Sequence, residues 1–239
     1  MQTTSYNTAH CPPLQRGEFW LDEVCARHLG VFGRTYVHAD QRFFGRMQRI
    51  SGNGFVATTI ACSAGEAYRR PTDVHRLSHN NVVISIERGR GAQWRQRGRE
   101  LSLRTGDILV TNPDDPYVLT TVGDFDLASL YIPRSMLAGH HFPGDMELPR
   151  VLPVSDAAAS LAAGFGNNLL AALPQLDATT AIAMLDSFVR LVAVAAGAAA
   201  PVHGQALREA RLGQALRYID RHLSDQVLSP DVTSWKQEA

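Results

Sequence analysis

The sequence is short of most features that mark exported, cross-linked or nucleic-acid-coating chains. Only three cysteines occur in 239 residues, Cys11, Cys25 and Cys62. They are too far apart for a paired zinc spacing or a disulfide framework, so a reducing, cytoplasmic setting suits them. Lysine is nearly absent, with Lys236 alone, and 23 basic residues balance 23 acidic ones to a formal net charge of zero. Nucleic-acid binding draws on a positive excess that releases counterions from phosphates. By charge, this chain alone is a poor DNA binder. The first 13 residues lack the charged start and apolar run of a secretory signal. The most apolar stretch, 181–200, is interrupted by Asp186 and Arg190 four residues apart. It therefore reads as a buried soluble helix rather than a membrane span. No Walker loop, dinucleotide fingerprint or nucleophile elbow occurs, which leaves phosphate and acyl-transfer chemistry without a visible site.

What is present is the composition of a folded globule, 45% hydrophobic and 19% charged. Apolar residues at three- and four-residue steps, Leu21, Val24, Cys25 and Leu29 with His28, predict a helix over 19–29 that Gly30 stops. From residue 34 to about 132 the period changes to two. Strands are predicted at 55–62, 82–86, 100–103, 108–111, 118–122 and 126–132, many separated by glycine- or proline-bearing turns such as Gly89-Arg90-Gly91 and Thr105-Gly106-Asp107. Short strands with frequent turns predict a sandwich or barrel. After Pro153 helical spacing returns. Leu161, Phe165, Leu169 and Leu173 line one predicted helix. Ile182, Leu185, Val189, Val192 and Ala196 line a second as an a/d-like seam, suited to docking on the chain's own barrel or on a second subunit. Residues 197–204 read as a linker. Beyond it an arginine-bearing amphipathic helix is predicted, followed by the helix start Leu228-Ser229-Pro230.

A barrel of this kind could be a metal-dependent enzyme, which would need histidines and a carboxylate on neighbouring inward-facing strands. His75 and His79, read in or beside a strand, lie too far apart along it to chelate together. His140 and His141 are adjacent and point different ways, as loop residues. Near Arg88 to Arg104, Arg95, Arg97 and Arg99 alternate with Trp94 in opposite phase. That pattern places arginines on a solvated face and Trp94 inward. An inward aromatic either fills the core or lines a small-molecule pocket.

In order and spacing, Phe19-Trp20-Leu21-Asp22-Glu23-Val24-Cys25, Phe44-Gly45-Arg46-Met47, Gly89-Arg90-Gly91, Gly98 through Asp107, Asp115-Pro116-Tyr117 and the strand ending Ile132-Pro133-Arg134 resemble the N-terminal domain of AraC-type transcription regulators. The resemblance covers roughly residues 19–200. It implies a cupin-like jelly-roll barrel that senses a small effector, then dimerising helices, then a DNA-binding domain with two helix-turn-helix units. The segment 211–230 resembles the opening of that last domain, and the likeness stops after Val232. Where enzymatic cupins carry metal-binding histidines, this chain offers Asn112, Pro113 and Tyr117.

The expected fold is therefore mixed and mainly β. A cupin-like effector-sensing barrel with a short N-terminal helix spans 1–150. A helical packing or dimerisation segment spans 155–200, and the start of a truncated helix-turn-helix domain spans 205–239. The expected function is the sensory and dimerising portion of an AraC-type regulator, not an enzyme, with neither cofactor nor metal. Its expected partners are a small-molecule effector and a second copy, with DNA reached only through an intact helix-turn-helix domain and no membrane. Phe55, Trp94 and Tyr117 are the candidate ligand-lining residues. Leu161, Phe165, Ile182, Leu185, Val189 and Val192 are the candidate dimerisation residues. The alternatives are a cupin-like metal-dependent isomerase or dioxygenase, and a dimerising antagonist of full-length regulators.

Overall fold

A computed structural model describes residues 1–36, 43–52, 54–76, 80–121, 123–137 and 147–197, without the side chains of 75, 76, 135 and 136. These fall within one unit, Met1–Ala198; the second unit, Ala199–Ala239, lies outside the described residues. So do the predicted linker beyond residue 197, the 205–239 segment, His79, His140 and His141. His75 falls in a short helix, Pro71–Arg76, rather than in a strand. Pro71 starts it, and Asp73 accepts from the backbone N–H of Arg70 at 2.9 Å.

Two antiparallel sheets carry the barrel. The strands are β1 (Gln2–Asn7), β2 (Phe32–Thr35), β3 (Gly45–Gly52), β4 (Phe55–Cys62), β5 (Gly65–Arg69) and β6 (Asn81–Glu87). They continue with β7 (Ala92–Gln96), β8 (Arg99–Leu103), β9 (Ile108–Thr111), β10 (Tyr117–Thr120), β11 (Phe125–Pro133) and β12 (Arg150–Leu152). The seven-stranded sheet has the order β1-β3-β4-β11-β6-β9-β12 and the five-stranded sheet β2-β5-β10-β7-β8. β-Branched apolar runs predict the central strands closely. They miss β1, a polar strand that pairs with β3 from Gln2 opposite Ser51 to Asn7 opposite Arg46. Between β7 and β8 the two turn residues, Arg97 and Gly98, both have positive φ, 54° and 72°. This is the twist a two-residue hairpin requires.

The N-terminal helix begins as an α-turn, Arg16–Phe19, and continues as a π-helix, Trp20–Leu29. Gly30 ends it in the left-handed region at φ 63°, where Gly30 N–H donates to Cys25 O. The wider winding changes the buried set from the predicted stripe to Trp20, Val24 and Cys25. His28 is instead paired with the Tyr6 hydroxyl of β1 at 2.6 Å. After β12 come two long helices, Ala157–Ala172 and Ala178–Ala195. The first is N-capped by Asp156, which accepts from Ala159 N–H at 2.9 Å. The second is N-capped by Asp177, whose carboxyl is held below the usual range by its bonds from Thr180 and Thr179.

The two long helices cover one face of the seven-stranded sheet. Phe55, Ala57, Ile84, Ile86, Ile108, Val110, Ala128 and Leu130 meet Leu170, Leu185, Phe188, Val189 and Val192 there in one apolar cluster. Close approach depends on Gly166, where a Cβ would stand 2.5 Å from the Phe188 ring and 2.7 Å from Ile86. The Ala178–Ala195 helix is long and apolar enough to cross a membrane, with mean hydropathy 1.6. Its Leu185, Phe188 and Val192 are nevertheless committed to the sheet.

Of the two placements open to the predicted seam, its Leu185, Val189 and Val192 take the one on the chain's own barrel. Leu185, Val189 and Val192 are buried in their own domain, and Phe165 packs against the same cluster. Only Leu161, 72% exposed, and Ile182, 38% exposed, face outward. A second apolar stripe, Met184, Leu191 and Val194 with Ser187, is exposed on the opposite side of the last helix. A helix that is apolar on two sides conceals from spacing alone which stripe turns inward.

Candidate ligand cavity between the sheets

The other face of the seven-stranded sheet does not pack solidly. Between it and the five-stranded sheet lies a cavity of about 120 Å³. An engineered cavity of roughly 150 Å³ accommodates benzene, so this space is of single-ring size. Strand alternation decides which residues line it. On β6 they are Val83 and Ser85; on β11, Phe125, Leu127, Ser129 and Tyr131; on β4, Ile60 and Cys62; and on β9, Thr111. The five-stranded sheet supplies Arg69 from β5, Trp94 from β7, and Tyr117 and Leu119 from β10. Trp20, Leu21, Cys25 and Leu29 of the π-helix line it as well. Trp20 is seated against Gly45, where a Cβ would fall 2.4 Å from the indole ring.

Trp94 and Tyr117, two of the three predicted lining residues, come together here. Their rings stack at 4.3 Å between centroids and 19° between planes. Phe55 does not belong to the cavity. It sits in the helix-facing cluster, out of phase with Ile60 and Cys62 on the same strand. One residue of phase exchanges the two faces of a strand.

Polar groups gather toward one end. Tyr117 lies opposite Arg69 in the β5–β10 ladder, while Tyr131 and Thr111 flank Val83 across β11, β6 and β9. One step along, Ser85 and Ser129 are paired across β6 and β11, with their hydroxyls 2.9 Å apart. Arg69 is 3% exposed, and its Nη1 donates to Pro113 O at 2.7 Å. The loop carrying Pro113 is itself fixed. Gln96 Nε2 donates to Asn112 O and Asp115 O at 2.8 and 3.1 Å, and Asp114 N–H donates to Asn112 Oδ1 at 3.2 Å. Burial pushes both phenols up, and the Arg69 charge partly offsets this in each. Tyr117 and Tyr131 therefore stay neutral hydrogen-bond donors at physiological pH. Trp94 Nε1 is buried and has no acceptor among the described residues. Leaving such a donor unsatisfied costs roughly 1–3 kcal/mol.

At the β2–β5 edge, Arg34 and Glu66 form an ion pair at 3.3 Å, and the Tyr36 hydroxyl donates to the same carboxylate at 3.3 Å. The thiols of Cys25 and Cys62 are pushed up to about 12, chiefly by burial. As neutral thiols they are poor nucleophiles and poor metal ligands. Among the described residues no group of three or more His, Cys, Asp or Glu is placed to hold a metal ion.

Sequence reasoning missed Arg69, Ser85, Thr111, Ser129 and Tyr131. The serines had a readable signal, since each interrupts an otherwise apolar strand. The Gly106-Asp107 turn, prominent in the sequence, has a structural task instead. Asp107 accepts from Arg104 N–H and Val154 N–H, both at 2.8 Å, joining the β8–β9 turn to the segment entering the helices.

The AraC-binding-like domain family matches residues 21–196, from the helix beside the cavity to the end of the last long helix. Among solved structures, the AraC-like transcriptional activator CuxR superposes with a TM-score of 0.70 over 97% of this chain and 82% of that chain, at 16% identity. This likeness concerns fold. A cupin domain of an XRE family regulator from Enterobacter cloacae overlaps 37% of this chain and 95% of its own, at 9% identity and a TM-score of 0.31. A putative ethanolamine utilization protein Q from Salmonella typhimurium overlaps 40% of this chain and 72% of its own, at 11% identity and a TM-score of 0.31. Neither of these two partial overlaps carries an argument. No curated protein matches the sequence. With the family match covering most of the two-sheet domain and its helices, the chain belongs to the AraC-binding-like domain family.

Proposed function

We propose that this domain is the effector-sensing part of an AraC-type transcription regulator and is not itself an enzyme. A small organic molecule occupies the cavity between the sheets. The observation that carries the reading is the chemistry of the sheet's two faces. The helix side is aliphatic, whereas the cavity side carries paired hydroxyls, two phenols and an arginine around single-ring space. Polar groups in a largely apolar pocket orient a ligand. A thermal-shift screen of small ring compounds on the 239-residue chain tests this. A ligand raises Tm by mass action. Ser129→Leu, which fills the cavity, is expected to abolish the rise while keeping the fold. A rise that survives in Ser129→Leu places binding elsewhere and removes the reading.

Regulation of DNA on this reading runs through the segment after residue 199. Comparing promoter binding by this chain and by a version joined to an intact helix-turn-helix domain tests that part. Specific binding by the chain alone would contradict it. Self-association, if the regulator dimerises through its helices, uses the outward residues Met184, Leu191 and Val194 rather than the buried seam. Met184→Glu with Leu191→Glu should then yield monomers by sedimentation.

A further inference from the structure

The two long helices cover the middle of their sheet and stop short of one corner. Beyond Ile86, against which Gly166 rests, the chain continues from β6 to Arg88, whose N–H donates to Asp126 O at 2.8 Å. Across β1, β3 and β4 at this end lies a second cavity, of about 230 Å³. Strand registers set its rows. Asn7, Arg46, Ala61 and Asp126 stand side by side on β1, β3, β4 and β11, and Ser5, Gln48, Thr59 and Ala128 form the next row. They share the phase of Ala57 and Ala128, which meet the helices, and so face away from the cavity between the sheets.

The floor is small and the flanks are long. Ala61 and Thr59 occupy the middle, with Arg46 to one side and Arg88 to the other. Two strands, β4 and β11, separate β3 from β6, which sets the arginine backbones about 14 Å apart. Arg88 turns toward that gap, because its Nε donates to Asp126 Oδ1 at 2.8 Å and its Nη2 donates to the same oxygen. Arg46 is exposed and has no hydrogen-bond or ion-pair partner among the described residues. The lining therefore holds two guanidiniums and no carboxylate. Asp126, from outside it, neutralises Arg88, and the charge of Arg46 is left over.

We infer that this corner is a second ligand site, for a phosphoryl group, with Arg46 as its principal clamp and the amides of Asn7 and Gln48 and the hydroxyls of Ser5 and Thr59 as further donors. It goes beyond the effector-sensing reading and does not depend on it, since the sheet stands between this site and the cavity that reading concerns. A guanidinium presents paired N–H donors that match an oxyanion. Donors spread over the floor and both flanks suit a group with three free oxygens better than a planar carboxylate with two. A cation would meet Arg46 with nothing to balance it, and an apolar body would strand the amides and hydroxyls. Space of roughly 150 Å³ holds benzene, so about 230 Å³ holds a phosphate with a small organic body attached.

The test is a phosphorus NMR titration of the whole chain at pH 7 in phosphate-free buffer, with ribose 5-phosphate and inorganic phosphate as the two probes. Saturable binding of at least one is expected, and whichever binds tighter identifies the source as an ester or as free phosphate. Arg46→Gln should weaken both at least about tenfold, the effect of losing a charge-assisted donor. Its Tm should match wild type, because the side chain it replaces is exposed. Arg46→Lys keeps the charge without the fork and should recover only part of the loss. Arg95→Gln removes another exposed arginine, on β7 of the other sheet, and should leave both affinities unchanged. Absence of saturable binding by both probes overturns the site. Equal losses in Arg46→Gln and Arg95→Gln overturn it too, since they would show only diffuse attraction to surface arginines. A signal lost in Ser129→Leu but kept in Arg46→Gln would place the phosphate between the sheets, again against the proposal. The effector reading stands or falls separately, on the screen of ring compounds.

Discussion

The two faces of the seven-stranded sheet are built by alternate residues of the same strands, yet they obey different rules. On the helix side Ile84, Ile86, Ala128 and Leu130 enter a continuous aliphatic core. On the cavity side their neighbours Ser85 and Ser129 put hydroxyls into a partly empty space beside Tyr131 and Thr111. The first face follows the rule that interiors are close-packed. The second retains polar groups and space that a core selected only for stability would fill. Substitutions on the helix side should therefore be read in stability, and those on the cavity side in binding.

The largest effect is expected at Phe188. It is fully buried, contacts the space above Gly166 and stacks with Phe165 at 6.5 Å between centroids. Phe188→Ala should cost about 3–5 kcal/mol in urea unfolding, through lost transfer energy and the void left behind. The reverse intervention is somewhat milder. Gly166→Val places a branched side chain where even a Cβ would meet Phe188 at 2.5 Å, and overpacking of this kind costs about 1–3 kcal/mol. Neither change touches the cavity lining, so ring-compound affinity measured on the folded fraction should stay at the wild-type value. A parallel loss of affinity would show that the two faces are not independent.

The serine pair sharpens the contrast from the other side. Ser85→Ala or Ser129→Ala alone strands the partner hydroxyl, at about 1–3 kcal/mol, whereas removing both partners approaches neutrality. A double-mutant cycle by urea unfolding should return this coupling. If the double variant lost as much stability as Phe188→Ala, the hydroxyl face would be structural and the comparison would fail.

How much of this was legible in the sequence depended on what fixes each feature. β-Branched apolar runs located β4, β6, β9 and β11 nearly to the residue because both sides of those strands are largely covered, whereas period-two alternation governs β7. It placed Trp94 inward because the flanking Gln93 and Arg95 are exposed. It misassigned Phe55 because both faces of β4 are covered, so hydrophobicity alone does not distinguish helix side from cavity side. For the same reason, spacing on a helix that is apolar in two directions left open whether its seam docks on the barrel or on a second subunit. Arg69 left no signal at all. Its role comes from β5 lying beside β10 and from the Pro113 carbonyl, contacts separated by 44 residues or more. Long-range pairing of this sort is set by topology rather than local pattern.

The smallest predicted effect lies one step past the cavity. Glu87 shares the strand phase of Val83 and Ser85 but lies outside the cavity lining, and it is 1% exposed. Its Oε1 accepts from Gly89 N–H at 2.8 Å, while its Oε2 has no partner among the described residues. Burial pushes its carboxyl above the ordinary value of 4.5, with the backbone bonds from Gly89 and Gly91 partly offsetting that. A carboxyl raised in the folded state favours the fold while protonated, and the benefit is lost as pH rises through the folded value. Glu87→Gln keeps the accepting oxygen and removes the charge. Its Tm relative to wild type should therefore climb as pH goes from 4 to 7. A difference that stays flat across that range would mean that the turn's bonds cancel the effect of burial, and one that falls would mean that ionised Glu87 is stabilised by its turn.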